Sequence, residues 1–111
     1  MKSFAIGIDL GGTQIKAGLV ERDNGLIATE TIDTEAAGGP KGVLDRIATV
    51  AKKLGGDIDN LAGIGIGSPG SINWNRTHVS YPPNLPGWEV IDVQSEIQDR
   101  WGSAIPVLVK S

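Results

Sequence analysis

At 111 residues, with ten basic against thirteen acidic for a formal charge of −3, the chain has the size of one lobe, and its 40% apolar content suits a packed core rather than disorder. Lys52-Lys53 is the sole basic pair, which excludes a nucleic-acid-binding stripe, and the absence of cysteine excludes a disulfide framework and a thiolate metal site. No apolar run approaches the ~20 residues of a membrane span, and Met1-Lys2-Ser3 leads directly into a short strand without a secretory apolar segment, so a cytosolic protein is expected.

Phe4 to Ile8 opens the chain as an apolar stretch in which Ile6, Ile8 and then Leu10 alternate with smaller or polar residues. Ile15, Ala17 and Leu19 do the same within Gln14 to Glu21, and a third β-like run spans Leu26 to Ile32. Asp23-Asn24-Gly25 supplies the turn between the last two, so three strands are expected as an antiparallel meander. The period then changes. Pro40 stands where a first helical residue would, and Val43, Leu44, Ile47, Val50, Ala51 and Leu54 recur at helical spacing until Gly55-Gly56. Leu61 to Gly67 is a short apolar strand whose glycines suggest close packing or ligand approach. From Ser68 to Trp88 turn residues dominate, including Pro82-Pro83 and Pro86-Gly87, and one long irregular loop of functional use is expected. Asp92 caps a second helix with Val93, Ile97 and Trp101 on one face, Gly102 ends it, and Ile105 to Val109 is a last strand. The order β-β-β-α-β-α-β predicts an α/β lobe of ribonuclease-H-like type with a mixed sheet, not a doubly wound dinucleotide fold.

Asp9-Leu10-Gly11-Gly12-Thr13 falls in the turn between the first two strands. Glycines there let backbone N–H groups line a concavity for anionic oxygens, because no Cβ obstructs close approach or positive φ. Thr13 can donate a hydroxyl to a phosphoryl oxygen, while an ionised Asp9 repels phosphate unless hydrated Mg²⁺ lies between them. The turn therefore points to metal-bound nucleotide; a plain Gly-Gly hairpin is the bland alternative. Lys16, on the second strand, either approaches a phosphate or faces solvent. Gly65-Ile66-Gly67-Ser68-Pro69-Gly70 spells G-x-G-x-x-G after a strand, but the dinucleotide fingerprint needs its third glycine in an opening helix. Pro69, Ser71 and Asn73-Trp74-Asn75 continue as loop, so a small polar ligand is the better reading. Asn84 offers the donor and acceptor needed to read a sugar hydroxyl. Trp88 and Trp101 are read as core, and His78, the only histidine, is given no role. A two-metal nuclease would need acidic residues on the first strand, first helix and fourth strand; Asp9 alone qualifies clearly.

With DLGGT at Asp9 to Thr13, GIGSPG at Gly65 to Gly70 and NLPGW at Asn84 to Trp88, in that order and spacing, the chain resembles the ROK family (repressors, open reading frames, kinases), on its bacterial glucokinase side. DLGGT is shared among many sugar kinases and actin-like ATPases; its combination with NLPGW is narrower. The resemblance implies an actin-like ATPase fold whose two lobes close over nucleotide and sugar, with residues 1–111 as a single amino-terminal lobe. It implies Mg-ATP as cofactor and a hexose, glucose foremost, as substrate. Asp9, Gly11, Gly12 and Thr13 would form the first phosphate loop, Asp9 meeting Mg²⁺ through water. Gly67, Ser68, Pro69, Gly70 and Asn84 would lie on the sugar side. The family's Asn-Asp-Ala-Asn-like motif, which carries the general base, has no match in Pro106 to Ser111, so no catalytic residue is assigned. The adenine region, second phosphate loop and zinc site of the family also have no counterpart here. The expectation is a truncated kinase lobe, without turnover alone, whose partner is the missing carboxy-terminal lobe or a second copy. Two alternatives stand beside it: a non-catalytic, self-associating assembly module, and a fragment of a ROK sugar-sensing regulator. The last is disfavoured because family repressors usually carry a helix-turn-helix before the DLGGT-like turn, whereas the first strand here begins almost at Met1. ATP and polyphosphate are both compatible donors.

Overall fold

The computed structural model describes residues 4–59 and 61–111, so the reading of Met1-Lys2-Ser3 lies outside the described residues. The three opening strands are β1 (Phe4–Leu10), β2 (Gln14–Glu21) and β3 (Gly25–Asp33). A 3₁₀ turn over Ala36–Gly38 leads into helix α1 (Gly39–Gly55), followed by β4 (Leu61–Gly67). Then come β5 (Ser71–Ile72), β6 (His78–Ser80), β7 (Val90–Asp92), α2 (Val93–Trp101) and β8 (Val107–Lys110). Five strands form one sheet in the order β3-β2-β1-β4-β8. β1, β2 and β3 are antiparallel neighbours, whereas β4 runs parallel to β1 and β8 parallel to β4. This is the expected mixed sheet, with α1 and α2 as crossovers.

The two-residue period of each strand decides which face the helices cover. Ile6, Ile8, Leu10, Ile15, Ala17, Leu19, Ile64, Ile66, Val107 and Val109 are all buried on one face. They join Val43, Leu44, Ile47, Val50 and Ala51 of α1 and Val93 and Ile97 of α2 in a single core. Burying each such Val, Leu or Ile contributes about 1.5–3 kcal/mol, so this face holds the lobe together. Arg100 ties the helices to one another, its Nε 2.7 Å from Asp45 and its Nη1 2.8 Å from Glu96. The helix boundaries follow their local chemistry. Pro40 sits in the first turn of α1, Asp92 accepts from the Ser95 N–H at 3.1 Å, and Gly102 ends α2 with φ 88°.

One expectation is corrected: residues 68–88 are not a single irregular loop. β5, β6 and β7 form a three-stranded antiparallel sheet, the last strand lying just past Trp88. Strands of two or three residues are too short to display a period. Side-chain chemistry closes them instead: Asn73 Oδ1 accepts from the Thr77 and His78 N–H groups, both at 2.8 Å, and shapes the β5–β6 turn. Val79, Leu85 and Trp88 are buried and anchor the segment on the main core. The final strand also begins two residues later than expected, at Val107, although Pro106 already accepts from the Ile64 N–H at 2.9 Å.

Candidate ligand cleft

β1, β4 and β8 run parallel, so their carboxyl ends lie side by side at Asp9-Leu10, Gly67-Ser68 and Lys110-Ser111. Ligands of open α/β sheets bind beyond such ends. A cleft of about 470 Å³ opens there. Asp9, Gly11 and Gly12 form one part of its wall; Gly67, Ser68, Pro69 and Asn84 form another. Seven of the nine residues singled out in the sequence thus converge, while Thr13 and Gly70 are not on the wall.

The glycines of the turn act by close approach, not by the left-handed backbone: neither Gly11 nor Gly12 has a positive φ. A Cβ on Gly12 would come within 2.8 Å of the Asn84 Cβ and 3.2 Å of the Asn84 carbonyl oxygen, and a Cβ on Gly11 within 2.9 Å of the Gln14 oxygen. The turn closes with the Gly11 N–H donating to Gln14 O at 3.0 Å. Among the described residues no protein acceptor takes the N–H groups of Gly12 or Thr13. Two backbone donors are therefore free at the turn, which is the arrangement that cradles anionic oxygens. Asp9 is exposed and stands opposite Lys16 across the β1–β2 pair, so Lys16 projects from the strand beside the cleft and does not line it.

On the other wall, Gly67 pairs with Asp9. Ser68 is buried, its N–H donating to Lys110 O at 2.8 Å and its hydroxyl to Pro69 O at 2.9 Å. Asn84 is exposed with φ 64°, and its side-chain amide makes no hydrogen bond among the described residues. Gly70 is required by the backbone itself, since it has φ 97° and its Cβ position lies 2.9 Å from both Pro82 Cα and Ser80 O. No helix follows it, in keeping with the rejection of a dinucleotide fingerprint. Trp88 is 4% exposed within the core and Trp101 packs against it, as read. His78 faces a carboxylate that sequence proximity hid, its Nε2 3.8 Å from Asp92 Oδ2, but it is not on the cleft wall.

Thr34 was missed. It is fully buried just after β3, its hydroxyl donates to Gly11 O at 2.7 Å and its N–H to Thr13 O at 2.8 Å. The usable signal was topological: a strand paired antiparallel with β2 must end beside the β1–β2 turn, and Gln14 indeed pairs with Asp33. A larger concavity of about 960 Å³ runs over the sheet face away from the helices, past Gly7, Lys16, Gly65 and Leu108. The smaller cleft is the candidate site, because there Gly12 with its free N–H, the Asp9 carboxylate and the Asn84 loop meet.

A five-stranded mixed sheet of this order, with both crossover helices on one face and a Gly-Gly turn at the carboxyl ends of its parallel strands, defines a lobe of the actin-like ATPase fold, the fold of the ROK sugar kinases among its solved neighbours. The chain belongs to the ROK family, which it matches over residues 5–110. It is 36% identical over 100 residues to a glucokinase of Thermotoga maritima, covering 90% of this chain and 31% of that protein. It superposes with a TM-score of 0.84 and 28% identity on a ROK glucokinase from Streptomyces griseus solved with glucose and AMPPNP, over 97% of this chain and 33% of the other. An inorganic polyphosphate/ATP-glucomannokinase from Arthrobacter sp. strain KM matches with a TM-score of 0.76 and 29% identity, over 96% and 43% of the two chains. The chain thus spans about a third of the length of the curated glucokinase it matches.

Proposed function

We propose that this chain is the amino-terminal phosphate- and sugar-binding lobe of an ATP-dependent hexose kinase, with glucose as its foremost substrate. The observation that carries the reading is the contact of Gly12 with Asn84, which joins the phosphate turn and the sugar-side loop in one cleft. In this reading the free N–H groups of Gly12 and Thr13 donate to terminal phosphoryl oxygens, and the exposed Thr13 hydroxyl adds a third donor. The free side-chain amide of Asn84 pairs with a sugar hydroxyl, and the corner made by buried Ser68 and half-buried Pro69 shapes that wall. Mg²⁺ is the implied ion. The cleft wall offers one exposed side-chain carboxylate, Asp9, beside the Gly-Gly turn, a donor set that suits an ion keeping most of its water and meeting Asp9 through it. Bound there, it would offset phosphate charge.

None of the 111 residues matches the family's general base, whose help is commonly worth about 10²- to 10⁴-fold. We therefore expect no glucose-dependent ADP release from this polypeptide alone. The decisive test is a residue-resolved amide NMR titration with Mg-ATP and then glucose. Shifts centred on Gly11, Gly12 and Thr13 with Mg-ATP, and on Ser68 and Asn84 with glucose, are expected; a dispersed spectrum that stays silent overturns the reading for this chain.

The second reading, a self-associating module, draws on the uncovered sheet face. That face carries Asp9, Lys16, Thr29, Thr31 and Lys110, but also the exposed Leu108, and Leu26, whose side chain lies over Gly18. A second copy would cover these apolar groups while accommodating the charges beside them. A molecular mass that rises with concentration in sedimentation would support this reading, and a constant monomer mass removes it.

A further inference from the structure

Thr34 lines no part of the cleft, yet two of its groups reach the turn that does. Its side chain is 0% exposed, and its hydroxyl and N–H take the carbonyls of Gly11 and Thr13, on either side of Gly12. Among the described residues every peptide bond is trans. In a trans peptide C=O and N–H point in opposite directions, so holding the Gly11 carbonyl toward Thr34 sends the Gly12 N–H the other way. Gly12 itself is on the cleft wall.

Thr34 is in turn held from both sides by α1. Arg46 Nε donates to Asp33 O at 2.6 Å, and its Nη1 lies 2.9 Å from Glu35 Oε2. Glu35 has a left-handed backbone, φ 53°, which bends the chain sharply after Thr34. A residue fixed by both neighbours can impose a direction on a glycine turn that has little stiffness of its own.

We propose that Thr34 is a positioning residue of the phosphate turn, orienting the Gly12 N–H toward a bound terminal phosphoryl group. The inference rests on the phosphate-binding reading of that turn. Losing one fixed donor to a charged oxygen corresponds to about a tenfold loss of affinity.

The test uses the 111-residue chain, with Thr34→Val and Thr34→Ser compared with the parent in amide spectra before and during a Mg-ATP titration. The expected result is that Thr34→Val moves the ligand-free amides of Gly11, Gly12 and Thr13, leaves those of Ile6, Ile66 and Val109 in place, and weakens Mg-ATP binding about tenfold. Thr34→Ser, which keeps the hydroxyl, restores both. A Thr34→Val chain with unmoved turn amides, or with shifts spread evenly through the core, overturns the proposal. If Thr34→Val does not fold, Thr34→Ser decides: it must retain parental turn shifts, and their loss overturns the assignment. A parent chain that ignores Mg-ATP sinks the phosphate reading instead, while the ligand-free shifts still judge whether Thr34 sets the turn.

Discussion

The two faces of the five-stranded sheet are made by the same strands and differ in almost every physical respect. The helix side presents an unbroken set of Ile, Leu, Val and Ala, buried to a few per cent exposure at most positions. The other side presents Gly7, Asp9, Lys16, Gly65, Gly67, Leu108 and Lys110 around an open concavity. Alternation puts Ile8 beside Asp9 and Ile66 beside Gly67, so one residue step separates a buried, stabilising side chain from a position on the uncovered face. The lesson is a division along each strand: one face supplies most of the folding free energy, and the opposite face and the strand ends stay uncovered.

The largest expected effect tests the covered face. Ile66, 1% exposed, loses its packing in Ile66→Ala, and a cost of about 2–5 kcal/mol is expected in chemical denaturation. A loss under about 1 kcal/mol would mean the core is not organised around β4. Next comes the boundary of the two faces. Gly12→Ala forces a Cβ to 2.8 Å from Asn84 Cβ, so the Asn84 loop must shift, at about 1–3 kcal/mol. Amide shifts confined to residues 11–13 and 83–86 check this; shifts absent from the Asn84 loop would break the link between the two walls.

How far the sequence disclosed this arrangement depends on the length over which each signal repeats. β1, β2, β4 and α1 carry several periods of apolar spacing, and their positions were legible to within a residue or two. β5, β6 and β7 have two or three residues each, and their sheet exists because Asn73, Val79 and Trp88 fix it, information that no local period contains. At the candidate site, Asp9, the two glycines and Asn84 could be singled out by residue type, and all four line the same cleft. Their mutual contact was not legible, since Gly12 and Asn84 meet only through the tertiary fold. Thr34 was missed for the same reason: an isolated threonine after a strand has no signature until the strand order places it behind the turn. Of the two uses the sequence allows for Gly11 and Gly12, close approach and positive φ, the backbone takes only the first.

A smaller effect is expected where α2 begins on the covered side. Burial alone would raise the Asp92 carboxyl, but hydrogen bonds from the Ser95 N–H and hydroxyl, with the neighbouring His78 charge, hold it below its usual value. A lowered folded pKa contributes stability at pH above the unfolded value and loses it as pH falls through the folded one. Asp92→Ala should therefore cost about 1 kcal/mol at neutral pH, mostly through the lost cap. The gap between parent and variant should shrink below about pH 4. A gap that instead widens in acid would show that the carboxylate destabilises the start of α2.

The smallest effect is expected on the bare face, and it is the sharpest test of the comparison. A Cβ on Gly65 would meet nothing within 4 Å, and the same holds for Gly7. Glycine in a strand interior is worth roughly 0.5–1 kcal/mol less than alanine, so on entropy alone Gly65→Ala should leave the denaturation midpoint unchanged or slightly raised. Ile66→Ala, one residue away, would then cost about 2–5 kcal/mol where Gly65→Ala costs nothing. A destabilising Gly65→Ala would show that this face is already covered in solution, by a second copy or by a different arrangement of the chain. A neutral or favourable one would show that glycine here does nothing for the lobe's own stability. Its place in the strand would then have to be explained by what approaches that backbone, and not by what the backbone needs in order to fold.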